Sequence, residues 1–121
     1  MYTIHFYKDR NGHAPVAEYI ENLGQKTDKS SRIKYKKISE YIQKLSETGL
    51  QTGMPAIRHL NGRIWELRPI RDRILFAAWI NGSFVLLHHF TKKSQRTPPQ
   101  EIEQALRNLQ TLEEGANSDG K

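Results

Sequence analysis

The sequence predicts an α+β fold with elements in the order β-α-α-β-β-β-α. A small, mainly antiparallel, twisted sheet is accompanied by two N-terminal helices and one C-terminal helix. Two observations carry this prediction. Three segments repeat apolar residues at intervals of three and four, as amphipathic helices do. Asn81-Gly82 separates two apolar, β-rich runs, which is the strongest short-range signal of a β-hairpin.

The N-terminal segment predicts a strand followed by a short helix. Residues 3–7 alternate weakly and are rich in strand-forming residues. Pro15 opens the helix, where its missing N–H costs nothing, and Gly24 ends it. The apolar stripe of this helix consists of Val16, Tyr19, Ile20 and Leu23.

A second helix is predicted over residues 29–48, with Asp28 as its N-cap and Gly49 at its C-terminal end. One face is apolar, and the opposite face is basic. The apolar face contains Ile38, Tyr41, Ile42 and Leu45. The basic face contains Lys29, Arg32, Lys36, Lys37 and Lys44. For an isolated helix, a solvated lysine face is the better interpretation, and binding to a polyanion is the alternative.

The hairpin around Asn81-Gly82 follows a predicted strand at residues 64–68. If the turn contains two residues, Ile80 pairs with Ser83 and the register is fixed. Leu75 then lies opposite His88, Ile74 opposite His89 and Arg73 opposite Phe90. Arg73 and His88 therefore approach one another on one sheet face, far from the turn. The same strand ends collect Arg68, Arg71, Arg73, Lys92, Lys93 and Arg96.

The last predicted helix has a capping-box start. Thr97 is the expected cap, Pro98 the first helical residue, and Gln100 the residue that completes the box. Its apolar stripe runs through Ile102, Ala105, Leu106, Leu109 and Leu112. We expect a single domain over residues 1–114 and a disordered tail over residues 115–121.

Composition narrows the class of protein. A chain of 121 residues without cysteine fits one cytoplasmic domain without disulfides or thiolate metal sites. No apolar run approaches the roughly 18 residues of a membrane span. Residues 1–97 carry 17 Lys/Arg against 8 Asp/Glu, whereas residues 98–121 carry 2 against 5. A basic body of this kind predicts a polyanionic partner.

The titratable residues indicate chemistry without a metal or cofactor. The five histidines lack metal-ligand spacing, and no phosphate-binding glycine loop is present. The cationic cluster could stabilise the charge that develops on phosphorus when RNA is cleaved, and a lysine or histidine could move protons. His59 is the freer histidine, in a loop before the sheet, while His88 is expected at the core or its rim. From residues alone, RNA cleavage and passive RNA binding remain equally supported.

Three motifs resemble the phage-derived HigB-like branch of the RelE toxin superfamily. They are L-x-G-x-x-W-E-L-R at 60–68, R-x-x-F at 73–76 and H-x-F-x-K-K-x-x-x-T-P at 88–98. The resemblance covers residues 1 to about 112 and implies a RelE-like fold in the same element order. It also implies an endoribonuclease that cleaves mRNA in the ribosomal A site by attack of the 2′-OH, inhibiting translation.

The resemblance assigns roles to particular positions. Arg68, Arg73, Lys92 and Lys93 match catalytic positions, and Arg71 and Arg96 extend the RNA-binding surface. Some relatives use a tyrosine near the C-terminus, but this chain has none beyond Tyr41, so His59 or His88 would substitute. The basic face of the second helix becomes a contact to ribosomal RNA.

The resemblance also implies partners and leaves alternatives. An antitoxin, in this branch often a helix-turn-helix protein, would form a hetero-oligomer with the toxin. A gyrase poison of the same fold, a non-catalytic nucleic-acid-binding regulator and a degenerate toxin are the competing functions.

Overall fold

The computed structural model describes residues 1–119 as a five-stranded sheet with helices on both faces. The elements are β1 (Thr3–Phe6), α1 (Pro15–Gln25), α2 (Lys29–Thr48), a short 3-10 turn (Gly49–Thr52), β2 (Ile57–Asn61), β3 (Ile64–Leu67), β4 (Asp72–Trp79), β5 (Ser83–Thr91) and α3 (Pro99–Asp119). The strand order is β1-β5-β4-β3-β2. β1 runs parallel to β5 and the other pairs are antiparallel, so the predicted α+β class and mainly antiparallel sheet are confirmed.

The predicted element order is wrong by one strand. The segment that was expected to be a loop containing His59 forms β2, an edge strand that pairs only with β3. Its sequence, Ile-Arg-His-Leu-Asn, has one buried side chain, at Ile57, and no strong apolar alternation. An edge strand depends on its neighbour's backbone more than on its own composition. The order is therefore β-α-α-β-β-β-β-α.

The sheet separates two apolar clusters. One face, here called the helix-pair face, packs against α1 and α2; its buried residues include Ile38, Leu45, Leu67, Ile74, Phe76, Phe84 and Leu86. The other, here called the α3 face, packs against the C-terminal helix; its buried residues include Ile64, Leu75, Ala77, Val85, Leu87, Ala105 and Leu109. Alternate residues of β3 and β4 supply the two clusters, as expected for a sheet buried on both sides.

The β4–β5 turn is one residue longer than predicted. Trp79 pairs with Ser83, so Ile80, Asn81 and Gly82 form the connection and the predicted pair of Ile80 with Ser83 is wrong. Asn81 and Gly82 have φ angles of 52° and 68°, the left-handed conformations for which Asn-Gly is favoured.

A β-bulge restores the predicted register further along this hairpin. Phe76 pairs with Leu86 but Leu75 pairs with His88, which leaves Leu87 as the additional residue of β5. The predicted pairs of Leu75 with His88 and Arg73 with Phe90 are therefore confirmed. The bulge also turns His88 onto the α3 face, whereas Phe84 and Leu86 lie on the helix-pair face.

Asn108 of α3 satisfies the backbone of the bulge. Its Nδ2 donates a hydrogen bond of 2.8 Å to the Leu87 carbonyl, and the Asn108 side chain is buried. Gln104 donates in turn to Asn108 Oδ1 at 2.9 Å. A carbonyl freed from a strand ladder by a bulge needs another donor when it is buried.

Replacing Asn108 with alanine is expected to lower the free energy of unfolding by about 1–3 kcal/mol, the usual penalty for leaving a buried polar group unsatisfied. Urea denaturation of the variant measures this change. Asn22→Ala is the control, because Asn22 is exposed on α1 and its loss should cost less than about 0.5 kcal/mol. Equal midpoints for the two variants would contradict the role of Asn108.

The ends of α2 are as predicted. The Asp28 side chain accepts a hydrogen bond from the Ser31 N–H at 3.0 Å, which lowers the pKa of the Asp28 carboxyl. Gly49 ends the helix with a φ of 57°, and a Cβ there would lie 2.7 Å from the Tyr2 ring. Tyr2 also donates its N–H to Ser46, so the N-terminus is fastened to this end of α2.

The start of α3 differs from prediction. The helix begins at Pro99, and the Thr97 hydroxyl donates to Glu66 instead of capping the helix, so the predicted capping box is wrong. The helix continues to Asp119, past the predicted domain end at residue 114. The predicted tail over 115–121 stays a prediction, and residues 120 and 121 lie outside the described residues. Among the helices of residues 1–119, none is long and apolar enough to cross a membrane.

Candidate functional site

Three polar or charged side chains and one leucine form a row across the α3 face of four neighbouring strands. Arg58 of β2 pairs with Glu66 of β3, Glu66 pairs with Leu75 of β4, and Leu75 pairs with His88 of β5. Neighbouring strands lie about 4.8 Å apart, so Glu66 and His88 are separated by roughly 10 Å across the Leu75 position. The first turn of α3 borders the His88 end of this row.

Glu66 is a buried carboxylate at the centre of the cationic cluster. Its Oε1 lies 3.5 Å from Arg68 Nε and 4.0 Å from Arg73 Nε, and its Oε2 accepts a hydrogen bond of 2.6 Å from the Thr97 hydroxyl. Only 1% of Glu66 is exposed. A buried charge is tolerated only where opposite charge and hydrogen bonds compensate it, and these three partners provide both.

The Arg73 guanidinium is hydrogen-bonded to nearby backbone carbonyls. Its Nη1 donates to the carbonyls of Ile70 and Asp72, at 3.0 and 2.9 Å, and its side chain is 6% exposed. Burial lowers the pKa of the Arg73 guanidinium, although the neighbouring carboxylate of Glu66 opposes this effect. Arg73 therefore holds the turn between β3 and β4, where Ile70 adopts a φ of 57°.

Arg68 is the more available of the two arginines. Its side chain is 20% exposed, and its Nη1 donates to the sulfur of Met54, at 3.9 Å. Its Nε is buried and has no hydrogen-bond partner within residues 1–119. The nearest acceptor to this Nε is Glu66 Oε1, so the Arg68 Nε is held by charge attraction to Glu66, and the exposed part of the side chain is what a ligand could reach.

His88 is bound to the first turn of α3. Its Nε2 lies 2.6 Å from Glu101 Oε1, and both side chains are partly exposed. The bulge at Leu87 places this imidazole on the same face as Glu66 and Arg68, as bulges near functional sites often do. The α3 face thus combines a partly exposed arginine with a histidine held by a carboxylate.

Two predicted groups lie away from this row. His59 sits on the helix-pair side of β2, where its ring packs 4.8 Å from that of Trp65 and its Nε2 contacts the Gly62 carbonyl at 2.8 Å. The basic face of α2 also belongs to the helix layer on that side. It comprises the exposed residues Lys29, Arg32, Lys36, Lys37 and Lys44. The sheet separates both groups from Arg68.

His89 lies outside the row as well. It follows His88 directly in β5, and its side chain points to the helix-pair face. Its ring stacks on Tyr19 of α1 with the centroids 4.3 Å apart. Burial, and then the nearby His88, lower the pKa of the His89 imidazole. Tyr19 donates to Asp72 at 2.6 Å, and burial with this bond raises the pKa of the Tyr19 hydroxyl. This arrangement fastens α1 to the end of β4.

The remaining cations follow β5. Lys92 and Arg71 are joined through their backbones, since the Lys92 N–H donates to the Arg71 carbonyl at 2.8 Å. The Arg71 side chain returns to the Lys92 carbonyl at 3.1 Å. Lys92 is partly buried, whereas Lys93 and Arg96 are exposed in the segment that leads to α3. These side chains extend the positive charge from the turn beside Arg73 toward Thr97.

Sequence reasoning did not identify four residues of this site: Arg58, Glu66, Thr97 and Glu101. Glu66 lies inside the W-E-L-R motif but was considered only as a strand residue. Its alternation with Arg68 on one strand face was a signal that could have found it. Glu101 approaches His88 only because α3 begins at Pro99, and that contact had no signal in the sequence.

Within residues 1–119, no three His, Asp or Glu side chains come close enough together to hold a metal ion. The carboxylates of Glu66 and Glu101 are instead paired with cations or hydrogen-bond donors.

The fold and the cationic α3 face are compatible with the RelE-like class of small toxins. The family model of the phage-derived Gp49-like proteins (DUF891) matches residues 21–110, which is most of the chain and includes every residue of the row. The protein belongs to this family, a RelE/HigB-like toxin family whose members are commonly toxins of toxin–antitoxin systems and therefore have an antitoxin partner. A comparison with curated proteins found no match.

Proposed function

We propose that this protein is the toxin of a toxin–antitoxin pair and a metal-independent endoribonuclease that cleaves mRNA in the ribosomal A site. The observation that carries the proposal is the position of Arg68, partly exposed within the cationic cluster, on the same sheet face as His88. Such a pair provides a guanidinium for a phosphate and an imidazole for a proton. The toxin would act in the cytoplasm and be neutralised by a helix-turn-helix antitoxin in a hetero-oligomer.

Each residue of the cluster has a proposed role. Arg68 binds the scissile phosphate and stabilises the charge that develops on it, because guanidinium groups bind phosphate with two parallel hydrogen bonds. His88 handles a proton, a task usually worth about 10²–10⁴-fold in rate. Lys92 and Lys93 add positive charge, and Arg73 supports the arrangement through its backbone contacts.

The basic face of α2 fits a partner larger than the cleaved strand. Its lysines and arginine lie on the other side of the sheet from Arg68, so a short RNA on the α3 face would not meet them. A ribosome surrounds a bound toxin with RNA and could contact both sides. This geometry supports ribosome-dependent cleavage over cleavage of free RNA.

The decisive experiment mixes purified protein with ribosomes stalled on a defined mRNA and maps new RNA 5′ ends, beside an identical reaction without ribosomes. Cleavage at the A-site codon only with ribosomes is the expected result. Cleavage of free RNA would remove the ribosome from the proposal. Intact RNA in both reactions would overturn the nuclease, and a gyrase supercoiling assay would then test the non-hydrolytic alternative.

A further inference from the structure

We propose that Glu101 is a positioning residue that orients His88 for proton transfer to the leaving group, an inference that rests on the proposed nuclease function. Glu101 lies in the first turn of α3, 13 residues beyond His88 in sequence, and its carboxylate meets His88 Nε2 at 2.6 Å. With one ring nitrogen held by Glu101, the other, Nδ1, is the one that can meet a substrate.

The surroundings of His88 explain why one contact matters. Among the described residues, the bond to Glu101 is the only hydrogen bond of the imidazole. The Phe90 ring lies beside it, with the centroids 6.2 Å apart, and supplies packing but no orientation of the nitrogens. Rotation about the last side-chain bond of histidine is broad, so an imidazole without a polar partner has no fixed direction. The hydrogen bond at one nitrogen also determines which nitrogen carries the exchangeable proton.

The arrangement of the α3 face determines which oxygen of a bound phosphodiester can receive a proton from His88. Glu66 and His88 flank the Leu75 position from opposite sides, and Arg68 follows two residues after Glu66 on the same face, so Arg68 and His88 belong to chain segments about two strand spacings apart. A phosphodiester bound by the exposed part of Arg68 can then present its leaving oxygen toward β5 and His88. In-line displacement requires the attacking 2′-oxygen and the leaving 5′-oxygen to lie on opposite sides of phosphorus. A single proton donor on the side of the 5′-oxygen is therefore sufficient to protonate the leaving group.

The proposed step balances as follows. The 2′-oxygen forms a bond to phosphorus and its proton passes to solvent, while the bond from phosphorus to the 5′-oxygen breaks. The imidazolium of His88 gives its Nδ1 proton to that 5′-oxygen. The products are a 2′,3′-cyclic phosphate and a 5′-hydroxyl, and His88 remains neutral with Nε2–H donating to Glu101 until water returns a proton.

The test compares two substrates with the full-length protein on programmed ribosomes. One mRNA has the natural 5′-oxygen at the scissile bond, and the other has a bridging 5′-sulfur, which leaves as a thiolate without needing a proton. Glu101→Ala should slow cleavage of the oxygen substrate about 10–100-fold and leave cleavage of the sulfur substrate near the parental rate. Glu101→Gln, which keeps an acceptor for Nε2–H, should recover part of the loss.

The control and a second measurement separate this inference from the nuclease proposal. Glu103→Ala removes an exposed carboxylate two residues away and should change neither rate. Long-range ¹H–¹⁵N NMR of the histidine rings should show a change at His88 in Glu101→Ala, whether or not the protein cleaves RNA. Equal losses on both substrates, or no loss on either, would overturn the positioning role. An unchanged His88 spectrum would overturn the contact itself, and failure of the parent protein on both substrates would overturn the nuclease.

Discussion

Replacing Arg68 with alanine is expected to reduce RNA cleavage on ribosomes at least about 100-fold, the usual cost of removing a donor that stabilises developing charge. The free energy of unfolding should also fall, because Arg68 is one cationic partner of the buried Glu66 carboxylate, but by less than in Glu66→Ala. Glu66 would still have Thr97 and Arg73 as partners. Mapping of RNA 5′ ends over time and urea denaturation measure the two quantities.

Two further variants make the Arg68 result specific. Arg68→Lys keeps the charge but cannot bind phosphate through two parallel bonds, so it should remain well below the parent. Arg63→Ala removes an exposed arginine that contacts Glu113 and should cleave normally. Parental activity of Arg68→Ala would remove Arg68 from the mechanism. Arg73→Ala is a poorer test, because its contacts to the Ile70 and Asp72 carbonyls make a loss of stability and a loss of activity inseparable.

The second large effect is expected at Glu66. Glu66→Ala should lower the free energy of unfolding by about 3–5 kcal/mol, the range seen when one partner of a buried ion pair is removed. The variant removes the carboxylate shared by two neighbouring guanidinium groups and leaves the Thr97 hydroxyl without this acceptor. Thermal or urea denaturation followed by circular dichroism gives the value.

Glu114→Ala is the matched control for Glu66→Ala. Glu114 pairs with Arg10 at 3.1 Å, but both side chains are more than half exposed, so this pair should contribute at most about 1 kcal/mol. If Glu66→Ala were no more destabilising than Glu114→Ala, the carboxylate would not be compensating the buried arginines. Glu66→Gln, which keeps an acceptor for Thr97, should fall between the two.

Local signals were sufficient for the helices and most of the sheet. Asp28 and Gly49 define α2 through backbone groups within one turn, and the stripes of α1 and α2 face the sheet as their spacing indicates. β2 escaped prediction because its stability comes from hydrogen bonds to β3, which no property of Ile57 or His59 reveals. The same limit applies to β1, whose parallel pairing with β5 depends on the whole intervening chain.

The positive charge of the candidate site was predictable from the sequence, but the contacts of its individual side chains were not. The predicted strands place Arg68 and Arg73 at the same end of the sheet, and this placement predicts a cluster of cations there. The difference in exposure between the two arginines depends on the turn at Ile70. The Ile70 carbonyl accepts a hydrogen bond from Arg73 and helps to hold that side chain in the interior. Buried carboxylates such as Glu66 are recognisable only when the opposing side chains are known, since sequence does not show which charges share a cavity.

The β-bulge at Leu87 shifts the pairing of β4 with β5 by one residue between the turn and the far end of the hairpin. In a regular hairpin, changing the length of the turn by one residue moves every side chain beyond it to the opposite face. Here the strand already accommodates one unpaired residue, and Asn108 secures it from α3. An insertion or deletion at the exposed tip can therefore be absorbed at Leu87 before it changes the face on which His88 lies.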